Sequence, residues 1–160
     1  MILIIGECGV GKTWVAKQLI KNTTAHKLGL FYFHENKKRI IIGKYDNTTF
    51  EGSDKLSMAV MKDLNKMLDY INKKNKISVF EGDRFMNKNF IKTAKPYIIK
   101  ISGDGIGGRM KRKSKQTERQ IKTIKTRVAN IKENVTAQNS EECLSIIKQY
   151  ENNTITTNKK

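Results

Sequence analysis

The sequence contains few of the residues that mark secreted or membrane proteins. Its two cysteines, Cys8 and Cys143, show neither pairing nor metal-ligand spacing, which excludes a disulfide framework and suits a reducing cytoplasm. No apolar run approaches the ~20 residues that a membrane span needs. A strand is predicted from residue 1, which leaves no room for a leader peptide. We therefore expect a cytoplasmic protein with no membrane partner.

Acidic residues are also scarce. The 160 residues include 15 acids against 32 lysines and arginines, so the formal net charge is +17. A charge of this size on a small body favours polyanionic partners, and contact with nucleic acid is therefore expected. The alternative is that the scattered lysines form an ordinary solvated surface.

The most informative segment is MILIIGECGVGKT at residues 1–13. It matches G-x-x-x-x-G-K-[ST], with an apolar strand at 1–5 before the loop and a helix at 13–22 after it. Such a loop surrounds phosphates with backbone N–H groups, and the helix N-terminus adds partial positive charge. Lys12 would reach the β- and γ-phosphates, and the Thr13 hydroxyl would bind Mg²⁺. The residues expected to bind ATP are Gly6, Gly9, Val10, Gly11, Lys12, Thr13 and Trp14.

Strands and helices alternate after the loop. Further strands are predicted at 28–34, 39–45, 76–80 and 97–101, and further helices at 56–72, 87–95, 116–131 and 140–150. This alternation predicts a three-layer α/β fold with a mostly parallel sheet, that of a nucleotide-kinase-like P-loop NTPase. One kinase domain is expected over 1–150, followed by a polar, frayed tail at 151–160. Ligands of such folds bind at the carboxyl ends of the strands.

Among P-loop proteins, the sequence best fits a kinase. It lacks the N-K-x-D segment with which GTPases read guanine, and it is shorter than AAA-type motors with their sensor and lid regions. Phosphoryl transfer depends on positioning, Mg²⁺ and cationic groups more than on covalent chemistry. A small domain with an arginine-bearing segment late in the chain can supply these.

Four acids are candidates for roles in such a reaction. Glu81 ends an apolar strand, where an acid holds Mg²⁺ or its waters. Asp83 would align the acceptor or support the metal, and Arg84 would neutralise phosphate charge; the alternative is a surface ion pair at a strand end. Asp54 is the first candidate to accept the proton of the acceptor hydroxyl, although its type suits a helix N-cap equally well. Asp46 is a weaker candidate for the same role.

A basic segment at about 102–120 predicts a lid. Arg112, Lys115, Arg119 and Lys122 recur at helical spacing, opposite a stripe of isoleucines. We expect Arg109 and Arg112 to bind the nucleotide and Arg119 to act in catalysis when the lid closes. Which of the three is the lid arginine that reaches the triphosphate is left open. The alternative is a solvated helix face.

Several segments, taken in order, resemble a group of small P-loop kinases found mainly in phage genomes and related to thymidylate kinases. They are GECGVGKT at 6–13, GKYD at 43–46, FEGSDKLS at 50–57, FEGDRF at 80–85 and TRVANI at 126–131. The DRF at 83–85 is similar to the D-R-[YF] segment of thymidylate kinases. The chain departs from those enzymes in its shorter length and in a predicted hairpin between residues 28 and 45.

Some of the kinases that this chain resembles phosphorylate the hydroxymethyl group of 5-hydroxymethyluracil within DNA. The resemblance implies ATP, Mg²⁺ and a DNA substrate, in the host cytoplasm if the protein is phage-encoded. A base in a duplex would have to be flipped out first. Tyr45, Phe50 and Phe85 would stack on that base or belong to the core. The alternatives are a kinase of deoxynucleosides or their monophosphates, and a nucleic-acid-binding ATPase.

Overall fold

The computed structural model describes residues 1–46, 51–111 and 116–157, with side chains to residue 154. The strands are β1 (Ile2–Ile5), β2 (Thr24–Leu28), β3 (Phe31–Glu35), β4 (Arg39–Ile42), β5 (Ile77–Glu81), β6 (Tyr97–Ile101) and β7 (Val135–Ala137). The α-helices are α1 (Lys12–Leu19), α2 (Leu64–Lys74), α3 (Lys88–Ala94), α4 (Ile106–Lys111), α5 (Glu118–Ala129) and α6 (Ser140–Thr157). Two short 3₁₀ turns span Ser53–Lys55 and Val60–Asp63.

The described strands form one sheet in the order β2-β3-β4-β5-β1-β6-β7. β4, β5, β1, β6 and β7 run parallel, while β2 and β3 form an antiparallel hairpin at one edge. β1, which leads into the glycine-rich loop, therefore lies between β5 and β6. The prediction of an α/β P-loop fold with a mostly parallel sheet is confirmed.

Helices cover both faces of the sheet. Successive strand residues point to opposite faces, so Leu3 and Ile5 pack in one buried cluster while Ile2 and Ile4 pack in the other. The first cluster includes side chains from α2, α3 and α5, and the second includes α1 and α6. β1 is buried along its whole length, which explains its uninterrupted apolar sequence.

The edge hairpin differs from the prediction. The chain turns at Gly29, so the expected strand at 28–34 is divided between the end of β2 and β3. β2 was not predicted because its residues are exposed or half-buried and carry no apolar alternation. The predicted turn between β3 and β4 is confirmed, and there the Asn36 side chain accepts hydrogen bonds from the backbone N–H groups of Lys38 and Arg39.

Three other parts of the secondary structure also differ from the prediction. The α-helix expected at 56–72 begins at Leu64, after the 3₁₀ turn at 60–63. The basic segment at about 102–120, for which no helix was predicted before residue 116, contains α4. β7 has only three residues, too few to show a period in the sequence.

The C-terminal segment is helical rather than frayed. α6 continues from Ser140 to Thr157, through most of the predicted polar tail. Glu151, at 5% exposure, accepts a hydrogen bond from Arg39 Nη2 at 2.7 Å, and Tyr150 packs against Tyr97. This end of the helix is stabilised by tertiary contacts, which the apolar periodicity of the sequence does not reveal. Within the described residues, none of the helices combines the length and apolarity needed to cross a bilayer.

Candidate active site

The glycine-rich loop connects β1 to α1 and surrounds the end of Lys12. Gly9 and Gly11 have φ values of 95° and 99°, in the left-handed region that glycine adopts most easily. Lys12 is only 9% exposed, and its Nζ donates to the carbonyl oxygens of Gly6 and Glu7 at 2.8 Å each. An ammonium group held inside a loop at a helix N-terminus is suited to bind an anion such as a phosphate.

Thr13 and Trp14 lie in the first turn of α1, directly after this lysine. The Thr13 side chain is half-buried, and its hydroxyl forms no hydrogen bond within the described part of the chain, which suits its predicted role toward Mg²⁺. Trp14 is 40% exposed.

Glu81 is the acid next to the loop. It ends β5 and pairs in register with Ile4 of β1, two residues before Gly6. Its carboxylate accepts from the Ser53 backbone N–H at 3.3 Å and from the Tyr45 hydroxyl at 3.4 Å. Burial, followed by the charge of Asp54, raises the pKa of Glu81 to about 7, against the opposing charge of Lys12. A buried carboxylate with so little cationic compensation fits a divalent cation or its bound water.

Asp54 and Asp83 are two more of the predicted acids, and Asp54 Oδ1 lies 3.8 Å from the position that a Cβ on Gly82 would take, between Glu81 and Asp83 in the chain. Burial raises the pKa of Asp83, which also responds to the charges of Lys12 and Asp54. Asp54 is exposed and lies inside the 3₁₀ turn, whose N-cap is Gly52 without a side-chain capping bond. The N-cap interpretation of Asp54 is therefore wrong. The structure thus places Asp54 beside the segment 81–83, and the pKa values of Glu81 and Asp83 both respond to the charge of Lys12.

Asp46, the weaker candidate for the proton acceptor, is engaged elsewhere. Both of its carboxylate oxygens accept from Lys55 Nζ at 2.7 Å, and Lys44 Nζ lies 3.7 Å away. This carboxylate is neutralised by lysines, which favours Asp54 for the role.

Two of the predicted aromatic residues have defined positions. Phe85 is fully buried and packs against Phe31, Phe80 and Phe90, so it belongs to the core and does not stack on a base. Tyr45 lies beside Glu81. Phe50 lies outside the described residues.

Arg84 follows Asp83 and is half-buried. Its Nη1 contacts the sulfur of Met58, and its Nε is buried without a hydrogen-bond partner in the described residues. Its charge lowers the pKa of Asp83, after the larger effects of Lys12 and Arg127 among the cations. Arg84 thus lies near Asp83.

The glycine-rich start of α4 lies directly on the phosphate loop. A Cβ added to Gly105 would overlap the carbonyl oxygen of Cys8, and one added to Gly108 would overlap that of Gly9. Arg109 Nη1 donates to the Cys8 carbonyl oxygen at 2.8 Å and to that of Asp104 at 2.5 Å. Arg109 therefore reaches the loop, whereas Arg112 and Lys115 lie outside the described residues.

α5 forms the wall of a cavity beside this loop. The cavity has a volume of about 310 Å³ and is lined by Asp83, Gln116, Arg119, Gln120, Thr123, Ile124 and Arg127. Just before α5, the Gln116 side chain donates to Cys8 Sγ at 3.0 Å. Arg127 was not among the predicted residues, but its position eight residues after Arg119 places both on one face of a helix. That spacing was the available signal.

Comparison with known protein families agrees with this geometry. The KAP family P-loop domain matches residues 1–154. The chain belongs to this family. A stretch of 36 residues is also 42% identical to a "Putative disease resistance protein" of Arabidopsis thaliana, and it covers 22% of this chain and 3% of that protein.

Membership of the KAP family defines a P-loop NTPase domain, which binds a nucleoside triphosphate, generally with Mg²⁺. The match to the KAP family does not show that the chain belongs with the phage kinases related to thymidylate kinases. That narrower likeness rests on the sequence segments alone.

Proposed function

We propose that this KAP family domain is an ATP- and Mg²⁺-dependent kinase acting on a hydroxyl group of a nucleic-acid component. The observation that carries the proposal is the position of Asp54 beside Gly82, between Glu81 and Asp83, whose carboxyl groups both respond to the charge of Lys12. One acid suffices to hold a metal, so the others are available to bind and deprotonate an acceptor.

Each of these residues has a separate role in the proposed reaction. Lys12 neutralises the β- and γ-phosphate oxygens. Thr13 and Glu81 would hold Mg²⁺, which would neutralise charge that develops on the leaving group. The acceptor hydroxyl oxygen forms the new bond to the γ-phosphorus as the bond from that phosphorus to the β,γ-bridging oxygen breaks. The hydroxyl proton passes to the Asp54 carboxylate, and ADP leaves.

The favoured acceptor is 5-hydroxymethyluracil in DNA. Its hydroxymethyl group is a primary alcohol, and its polymer carries the negative charge that a protein of net charge +17 attracts. Binding through several phosphates should weaken steeply with salt, and DNA affinity that stays flat across a salt titration would contradict a polymer substrate.

Transfer of label from γ-labelled ATP tests the proposal. The acceptors are 5-hydroxymethyluracil DNA, unmodified DNA and a panel of deoxynucleosides and deoxynucleotides, each analysed as nucleosides after digestion. Label on the modified base supports the proposal. Label confined to the free nucleosides or nucleotides identifies a nucleoside or nucleotide kinase, and release of inorganic phosphate alone identifies an ATPase.

Variants of single residues separate the roles. Lys12→Ala should abolish transfer, and Asp54→Asn should lower turnover far more than ATP binding. Asp69→Asn, an exposed acid on α2, is the matched control and should retain activity. Full activity of Asp54→Asn would assign the proton to Asp83 instead.

A further inference from the structure

The cavity beside the phosphate loop is lined by side chains that the proposed transfer step does not use, among them Arg119 and Arg127. Roughly 300–1,000 Å³ is usual for small-molecule sites, and this cavity, at about 310 Å³, is at the lower end of that range. It can accommodate one small unit but not a stacked duplex. Ile124, which is 6% exposed, contributes apolar surface to it.

The charges around the cavity are divided between two sides. Arg119 and Arg127 project from the same face of α5, and neither forms an ion pair within the described part of the chain. Asp83 enters from the loop that follows β5. Two guanidinium groups opposite a carboxylate can bind a molecule that carries both a phosphate and a hydroxyl group.

The cavity also has a fixed relation to the nucleotide site. Gln116 lines it and donates to Cys8 of the phosphate loop, four residues before Lys12. An occupant whose hydroxyl group reaches Asp83 would therefore lie beside the loop that holds the triphosphate.

We infer that this cavity is the acceptor site and that it takes a single nucleotide unit, with its phosphate on Arg119 and Arg127. Its hydroxyl group is aligned by Asp83, next to Asp54, which takes the proton. The inference rests on the proposed function. It adds a substrate class, because a nucleoside without a phosphate would lose the contacts to both arginines. For a DNA acceptor, it requires the target base to leave the duplex.

Equilibrium binding tests the inference separately from catalysis. The probes are 5-hydroxymethyl-2′-deoxyuridine, its 5′-monophosphate and a single-stranded trinucleotide with that base in the middle, each titrated by calorimetry in the presence of Mg²⁺ and a non-hydrolysable ATP analogue. Arg119→Ala and Arg127→Ala are compared with Lys125→Ala, which removes the same charge from an exposed position of α5 outside the cavity. Circular dichroism verifies that each variant is folded.

We expect each arginine variant to weaken monophosphate or trinucleotide binding by about tenfold, as the loss of one charge-assisted contact predicts. Lys125→Ala should change it less than twofold, and the affinity for the ATP analogue should stay within about threefold in all three variants. Loss of analogue affinity without loss of acceptor affinity would overturn the inference, because the arginines would then serve the triphosphate. Equal affinity of the unmodified protein for nucleoside and phosphorylated probes would also overturn it. Phosphate-dependent binding without phosphoryl transfer would leave the site intact and refute only the kinase.

Discussion

The contact between Arg39 and Glu151 predicts that the end of α6 contributes substantially to stability. The two side chains are 17% and 7% exposed, and their N–O distance is 2.7 Å. Glu151→Ala would leave the guanidinium group largely buried without its carboxylate, which costs about 3–5 kcal/mol for a fully buried pair. The remaining exposure of Arg39 places the expected loss at the lower end, about 3 kcal/mol. For a domain of this size, that corresponds to a fall in Tm of roughly 6–12 °C.

Urea denaturation followed by circular dichroism measures this loss directly. Gln149→Ala, an exposed position of the same helix, is the control and should change the free energy of unfolding by less than about 0.5 kcal/mol. The double variant Arg39→Met/Glu151→Leu should be more stable than Glu151→Ala, since no buried charge is left unpaired. A loss below about 0.5 kcal/mol for Glu151→Ala would refute the reasoning and would indicate that the end of α6 is frayed.

Three further outcomes are expected. Burial raises the pKa of Glu35, but hydrogen bonds from Lys76 and Tyr70 outweigh this effect and hold the pKa below its ordinary value of 4.5. The stability that Glu35 contributes is therefore present above pH 4.5 and is lost as the pH falls through the lower pKa of the folded state. Between pH 7 and pH 3, the urea midpoint of Glu35→Gln should fall less than that of the unmodified protein. Phe85→Ala should destabilise the domain by about 3–5 kcal/mol in the same urea assay, and a smaller loss would show that the cavity collapses. Gly105→Ala should displace α4 from the phosphate loop and lower the affinity for an ATP analogue while the domain stays folded, and unchanged affinity would separate α4 from the nucleotide site.

Local patterns predicted the parts of the site that are contiguous in the chain. The loop from Gly6 to Thr13 and the acid at the end of β5 could both be identified, because a phosphate loop and a strand-end acid each occupy a few consecutive residues. Arg127 could not be assigned a role, because an exposed arginine on a helix resembles a solvated surface charge until Asp83 is placed opposite it. For the same reason, only the packed structure shows that Phe85 belongs to the core.

The α/β class and the position of the triphosphate site follow from local sequence, because buried parallel strands read as apolar runs and a phosphate loop requires glycines at fixed spacing. Tertiary contacts, by contrast, place Asp54 beside Gly82, bring α4 onto the loop at Gly105 and extend α6 past residue 150. These features depend on contacts between residues far apart in the chain. Such contacts are determined by packing, which leaves no local period in the sequence.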